Sequence, residues 1–394
     1  MTRRQRALIV LGLTVLAFNL RPVAVSVGPV LDEIRTGLAM GSVTAGVLTT
    51  MPVLCFAAFG YVAPWVGRSL GLHRVILAAL LVTFAGLALR VEARSPATFL
   101  VATLPALAGM ATANVLIPSL VKLHFPGHLG SMTALYTTAL AVGLTAASVL
   151  TVPLAQAAGS WRGGLGSWSL IALVAVIPWL GLVGHDVGPH PDGPRPIRMR
   201  TLARSSLAWT MAAFFGIQSL HAYAVFGWLP QIYRDAGFSA GTAGLLLGVT
   251  TATSIPVSLA LPGITARGRH QVGIIMALSA SYGAGYVGLL TDADSVPWLW
   301  ALLIGIGTGT FPLVLTLIGM RARTSEGTAA LSAFAQSIGY LIAGIGPFMM
   351  GALYGATGGW TVPLAVLVVL VLPQAVAGLM ASRPRYLEDE LAAT

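Results

Sequence analysis

The apolar positions of this chain form long runs broken by short polar stretches. Runs of roughly 20 residues or more can be read at 7–31, 41–66, 73–91, 96–123, 128–158, 163–184, 204–232, 239–264, 270–290, 295–320, 326–355 and 359–381. Each is long enough to cross about 30 Å of hydrocarbon as a helix. A membrane β-barrel would show short alternating segments instead. The pattern therefore predicts an all-α polytopic membrane protein with twelve transmembrane helices. Most connections are short. The exception runs from His185 to Arg204 and contains Gly188-Pro189-His190-Pro191-Asp192-Gly193-Pro194-Arg195-Pro196. Its proline, glycine and charge read as a linker. The predicted division is an N-terminal six-helix bundle (1–184), a linker (185–203) and a C-terminal six-helix bundle (204–394).

Composition agrees with this reading. Of 394 residues, 56% are hydrophobic and 9% charged, against about 25% charged in soluble chains. The formal charge of +10 raises nucleic acid as a partner, but the basic residues stand mostly singly or in small groups between apolar runs, and topology explains them better. Arg3, Arg4, Arg6, Arg68, Arg74, Lys122, Arg195, Arg198, Arg200, Arg204, Arg267, Arg269, Arg321, Arg323, Arg383 and Arg385 fall on one face of the predicted bundle. Arg35, Arg90, Arg94, Arg162 and Arg234 fall on the other. An excess of Lys and Arg marks the cytoplasmic side, so both termini and the linker are expected there, in the cell membrane. The N-terminal run continues past any small-residue cleavage site and reads as a retained first helix. Cys55 is the single cysteine, which excludes an intrachain disulfide and a cysteine metal cluster.

By this count Arg21 alone lies on neither face. It stands in Phe18-Asn19-Leu20-Arg21-Pro22, about fourteen residues into its run, or roughly 21 Å along a helix. Its guanidinium does not lose its proton, and an ionised group at membrane depth is costly and usually functional. Pro22 removes one helical hydrogen bond and frees the carbonyl of Phe18. All twelve carboxylates fall in predicted loops, helix ends or tails, so none is placed to neutralise Arg21. A bound anion, or water in a cavity, is the expected counterpart. A planar anion suits the guanidinium fork.

The two predicted halves echo one another. Arg35-Thr36-Gly37-Leu38-Ala39-Met40-Gly41 answers Asp235-Ala236-Gly237-Phe238-Ser239-Ala240-Gly241, and the same offset carries Arg21 onto His221. Such repeats place transporter sites at their interface. His221, with Gln218 on its helical face, is expected to add positive charge or to carry a coupled proton. Asn114, Tyr136, Tyr223, Gln336 and Tyr340 are further candidate contacts, with Asn19 ranked below Arg21. Each also fits a helix-joining role. Trp228, before Pro230, reads as structural, and Arg68 and Lys122 as gate or interface residues. The glycines of Gly305-Ile306-Gly307-Thr308-Gly309 need only close packing and bending. They have no Walker lysine, so no ATP site is expected, and no cofactor, metal site or catalytic triad is read.

Twelve spans in two similar halves around a central loop resemble the major facilitator superfamily. Asn19-Leu20-Arg21-Pro22, Asn114 to Lys122 with Pro118, Trp228-Leu229-Pro230, Phe311-Pro312-Leu313 and Gln336-Ser337-Ile338-Gly339-Tyr340 together resemble its cyanate and 2-nitroimidazole transporter family. The resemblance implies a secondary transporter of small polar or anionic solutes. One departure is the stretch Ala63 to Arg74, which lacks the acid that the wider superfamily usually carries ahead of the residue matching Arg68.

The expectation is a monomeric alternating-access carrier of a small anionic or polar solute, planar or aromatic, held by Arg21. Import of an anion against about 2.3 kcal/mol per charge per 100 mV calls for coupling, for which His221 could supply a proton. A drug efflux carrier of the same fold is the alternative. A membrane-embedded enzyme or receptor is a more distant one, since clustered acids, a nucleophile and a sensory domain are all lacking.

Overall fold

The computed structural model describes residues 3–125, 128–185, 199–266 and 271–392; within these the side chains of Arg68, Lys122 and Glu326 are among those outside the description. The middle of the linker also lies outside it. The chain is helical throughout the described residues. The first segment comprises α1 (Arg3–Val25), a 3-10 turn (Gly28–Val30) and α2 (Leu31–Leu38). Five long helices follow: α3 (Ser42–Leu70), α4 (Leu72–Val91), α5 (Pro96–His124), α6 (Leu129–Ala157) and α7 (Trp161–Leu180). After the linker come the short α8 (Met199–Leu202), then α9 (Ser206–Asp235), α10 (Ala240–Ala266) and α11 (Gln271–Thr291). The tenth predicted run divides into α12 (Pro297–Gly307) and α13 (Thr310–Met320) at Thr308-Gly309. The chain closes with α14 (Ser325–Thr357), α15 (Thr361–Ala381) and α16 (Leu387–Ala392).

Local chemistry sets the ends. Ser95 and Thr98 form a reciprocal capping box ahead of α5, with Pro96 in its first turn. Ser205 and Thr324 cap α9 and α14 through the amides of Ala208 and Gly327. Gly358 stops α14 in the left-handed region at φ 70°.

Eleven helical stretches among the described residues are long and apolar enough to cross a membrane, including Gln5–Leu38 and Pro297–Met320 taken whole. The expected span absent from that set is α9. It is 30 residues long, but Gln218, Ser219, His221 and Gln231 dilute its apolarity. All four are buried, so α9 presents them to protein rather than to lipid. The outward surface is apolar instead: Val101, Leu372 and Ile177 are 72%, 68% and 64% exposed, as lipid-facing side chains should be.

Within α1–α7, α4 packs on α5 and α7, and α1 on α6 and α7; within α9–α15, α9 packs on α14 and α15, and α11 on α12 and α15. Between these groups the main contacts are α3 on α14 and α6 on α10. In the order of the predicted spans these are the second on the eleventh and the fifth on the eighth, pairs that exchange if the chain repeats every six spans.

Candidate functional site

Arg21 is reached through the local geometry of α1. Pro22 donates no hydrogen bond, and the freed Phe18 carbonyl lies against Gly143 of α6, where a Cβ would overlap it. Glycine is thus required at this crossing, which fixes α1 where its proline weakens it. The half-buried Arg21 side chain lies close to Tyr223 of α9 and, farther off, to Tyr340 of α14. Tyr340 in turn stacks on Phe56 of α3 at 5.2 Å between ring centroids and meets Phe215 edge-on at 5.1 Å. Tyr223 completes the cluster, 6.5 Å from Tyr340 and 6.0 Å from Phe226. Four helices from both groups therefore bring one cation and two phenols into an aromatic surround. A narrow cleft beside it is lined by Val25, Gly28, Leu48, Thr49, Pro52 and Tyr223, among others. No carboxylate pairs with Arg21 among the described residues.

The other candidates divide. Gln336, one helical turn before Tyr340 on the same face of α14, is half-buried and donates to Ser332 at 2.8 Å. Tyr136 lies about two turns before Gly143 on α6 and is half-buried. Asn114 is half-buried on α5, and Asn19 is 2% exposed with its amide nitrogen unpartnered. The side chains of Arg68 and Lys122 lie outside the described residues.

His221 is not brought to Arg21. Two residues separate it from Tyr223, a turn of about 200° around a helix, so when Tyr223 faces Arg21, His221 faces the opposite way. It is fully buried and stacks on Tyr282 and Tyr286 of α11 at 5.1 and 5.4 Å. Gln218 shares its face and donates to the Phe215 carbonyl and to Ser219. The offset of two hundred residues finds the right turn of α9 but the wrong side of it. The aromatic partners Phe56 and Phe215 carry no polar signal and were not singled out in the sequence.

Arg90 departs from expectation as well. Predicted at the face with Arg35, it is instead fully buried and donates to the Val23 carbonyl at 3.2 Å and to Ser26 Oγ at 3.3 Å. The carbonyl end of α1 carries partial negative charge, which accounts for an arginine held there. Arg90 is thus turned inward at the end of α4, where a surface arginine was expected.

Beyond Arg90, at the face carrying Arg35, Arg234 of α9 binds Glu33 of α2 through both carboxylate oxygens at 2.8 and 2.7 Å and Asp32 at 3.3 Å. Asp235 accepts from Gln231, Tyr354 and Trp360 at 2.7, 3.0 and 2.8 Å, and Arg35 lies over the Tyr354 ring. Beneath this layer, Cβ atoms at Gly46 and Gly351 would crowd the backbone of the facing helix, so α3 and α14 meet closely. Trp228 donates to the Pro347 carbonyl at 2.9 Å, in keeping with a structural role.

The family model of the Major Facilitator Superfamily matches residues 7–347. This chain belongs to that superfamily. It is 35% identical over 384 residues to the 2-nitroimidazole transporter of Escherichia coli (strain K12), covering 97% of each chain. To the cyanate transport protein CynX of the same organism it is 28% identical over 352 residues, 89% of this chain and 91% of that one. Among solved structures, a bacterial homologue of the human lysosomal transporter Spinster superposes with a TM-score of 0.79 at 14% identity, over 99% of both chains. The chain is a multi-pass membrane protein and a secondary transporter of a small-molecule solute, not an enzyme.

Proposed function

We propose that the protein carries a small anionic or polar planar solute through a central site in which Arg21 is the counter-charge. The observation that carries this reading is Arg21 itself: a half-buried guanidinium near Tyr223 and Tyr340, whose rings belong to an aromatic cluster, with no carboxylate partner among the described residues. The aromatic rings suit a flat solute, and the tyrosine hydroxyls can bond its acceptor atoms. The cyanate and 2-nitroimidazole named for the two relatives are both small, polar and planar.

Residues 1–184 and 204–394 act as the two bodies that rock about this site, with the 185–203 linker between them. The α3/α14 and α6/α10 contacts are their interface. The arginine-rich face and both termini are cytoplasmic. Closure by Arg234, Asp32 and Glu33 then blocks the outer face, and solute exchanges with the cytoplasm in this conformation. His221 serves as the coupling proton carrier, on the far side of α9 from the solute, and the carrier works as a monomer.

A thermal-shift screen of the purified protein with cyanate, 2-nitroimidazole, small aromatic carboxylates and neutral analogues tests the reading. Anions should raise the melting temperature of the wild type and leave Arg21→Ala unmoved. Equal stabilisation of both proteins by neutral drugs, with no anion effective, would favour the efflux-carrier alternative.

A further inference from the structure

Behind α9, away from Arg21, polar side chains collect inside the second group of helices. The register of three helices brings them together. Gly378 of α15 packs on Phe214 of α9 and Ile275 of α11, while the Leu370 carbonyl of α15 lies toward the His221 ring. Gln374 sits one turn from each of these positions, on the same face of α15. Its level is therefore that of Gln218, four residues after Phe214, and of Ser279, four after Ile275. The next level holds His221 and Tyr282, and Tyr286 lies a turn beyond.

These six residues are buried to between 0% and 3% exposure. Fifteen buried side-chain polar atoms lack a well-formed hydrogen bond among the described residues, and eight of them are here: Gln218 Oε1, both ring nitrogens of His221, Ser279 Oγ, the hydroxyls of Tyr282 and Tyr286, and both amide atoms of Gln374. The Leu370 carbonyl is near the His221 ring and Thr310 near the Tyr282 hydroxyl, in each case short of good bond geometry. So many orphaned groups at one place are not scatter along sixteen helices. Buried polar groups are satisfied by protein or by ordered water, and a polar enclosure with several convergent donors and acceptors is where internal water is held.

We propose that Gln218, His221, Ser279, Tyr282, Tyr286 and Gln374 enclose a hydration site, in which a small cluster of water molecules bridges these groups and exchanges a proton with His221. The groups facing His221 are Tyr282 and Tyr286 from α11, with Leu370 and Gln374 from α15. Thr310 of α13 lies beside the Tyr282 hydroxyl, and α10 carries no titratable residue. No carboxylate, lysine or arginine is in contact with it among the described residues. A proton on the ring would be spread over water, amide oxygens and the faces of two phenols. The role in coupling rests on the proton-coupled reading above; the hydration site itself does not.

Two solute-free measurements on the purified protein decide the matter. In X-ray hydroxyl-radical footprinting, Tyr282 and Tyr286 should be oxidised several-fold faster than Tyr233, which is equally buried but donates its hydroxyl to the Pro297 carbonyl at 2.9 Å. Gln374→Leu should slow that labelling. In deuterium exchange at the C2 position of histidine, His221 should exchange with a sigmoidal pH profile. Labelling no faster than at Tyr233, or a slow and flat His221 profile, would overturn the proposal. Arg21→Ala should change neither result, so failure of the solute site and failure of the hydration site are read separately.

Discussion

At the scale of single residues, the centre of the molecule is a guanidinium set near two phenols, Tyr223 and Tyr340. Tyr223→Phe removes the hydroxyl beside Arg21 that can donate to a bound anion, a loss of ~1 kcal/mol, or about fivefold in affinity. It should weaken anion stabilisation in the thermal-shift assay without abolishing it, whereas Arg21→Ala abolishes it. Arg90 acts differently. Its hydrogen bonds to Val23 and Ser26 hold the carbonyl end of α1, and Arg90→Met leaves that carbonyl buried and unpaired. The expected destabilisation is about 1.5–3 kcal/mol, read as a lower melting temperature in the absence of any solute. Arg21 could be found from the sequence because its anomaly is one of composition: a charge within an apolar run. Arg90 could not, because it falls near a run's end, where snorkelling to the surface and burial inward look the same. The orientation of His221 was also hidden. Neighbouring polar residues on a buried helix differ by about 100° each, and the sequence of α9 puts polar groups on several sides.

At the scale of elements, hydropathy located eleven of the predicted spans because lipid demands apolar side chains on at least one face. It understated α9, which is surrounded by protein. The short C-terminal α16 gave no such signal, yet it ties two of the central helices. Glu390 accepts from the Leu207 amide and from Ser205 and Ser206 at the start of α9. Glu388 accepts from the amides of Arg323 and Thr324 before α14, and Asp389 pairs with Arg323. Partial burial raises the carboxyl pKa values of Glu388 and Glu390, but these donors outweigh it and hold both below the ordinary glutamate value. Because the folded-state values are depressed, the stabilisation is present above the unfolded-state value of about 4.3 and is lost as pH falls through the lower folded ones. Limited proteolysis should therefore cut α16 more readily in acid, and Glu388→Gln with Glu390→Gln should show that susceptibility already at neutral pH.

At the scale of the whole molecule, two kinds of contact close one face. The Arg234 ion pairs are partly exposed, with side-chain exposures of 20% for Arg234, 41% for Asp32 and 37% for Glu33. Such pairs contribute about 0.2–1 kcal/mol, so they set register more than they lock the face. The second kind is the close approach of α3 and α14. A Cβ at Gly355 would lie 3.3 Å from that of Ser42, near the 3.5–4.5 Å span of a disulfide. With buried Cys55 replaced by alanine, the Ser42→Cys/Gly355→Cys pair should cross-link under mild oxidation and arrest uptake into vesicles, and reduction should restore it. Arg234→Ala alone should leave the protein folded and shift it toward opening.

The same face carries a built-in optical reporter. Trp228 is fully buried with its ring centroid 5.6 Å from that of Trp360, whose indole nitrogen is bound to Asp235. Parting α3 from α14 would admit water to the Trp228 indole and red-shift its fluorescence emission. Opening and closing can then be followed in unlabelled protein, in real time, with Trp228→Phe as the blank that removes the signal.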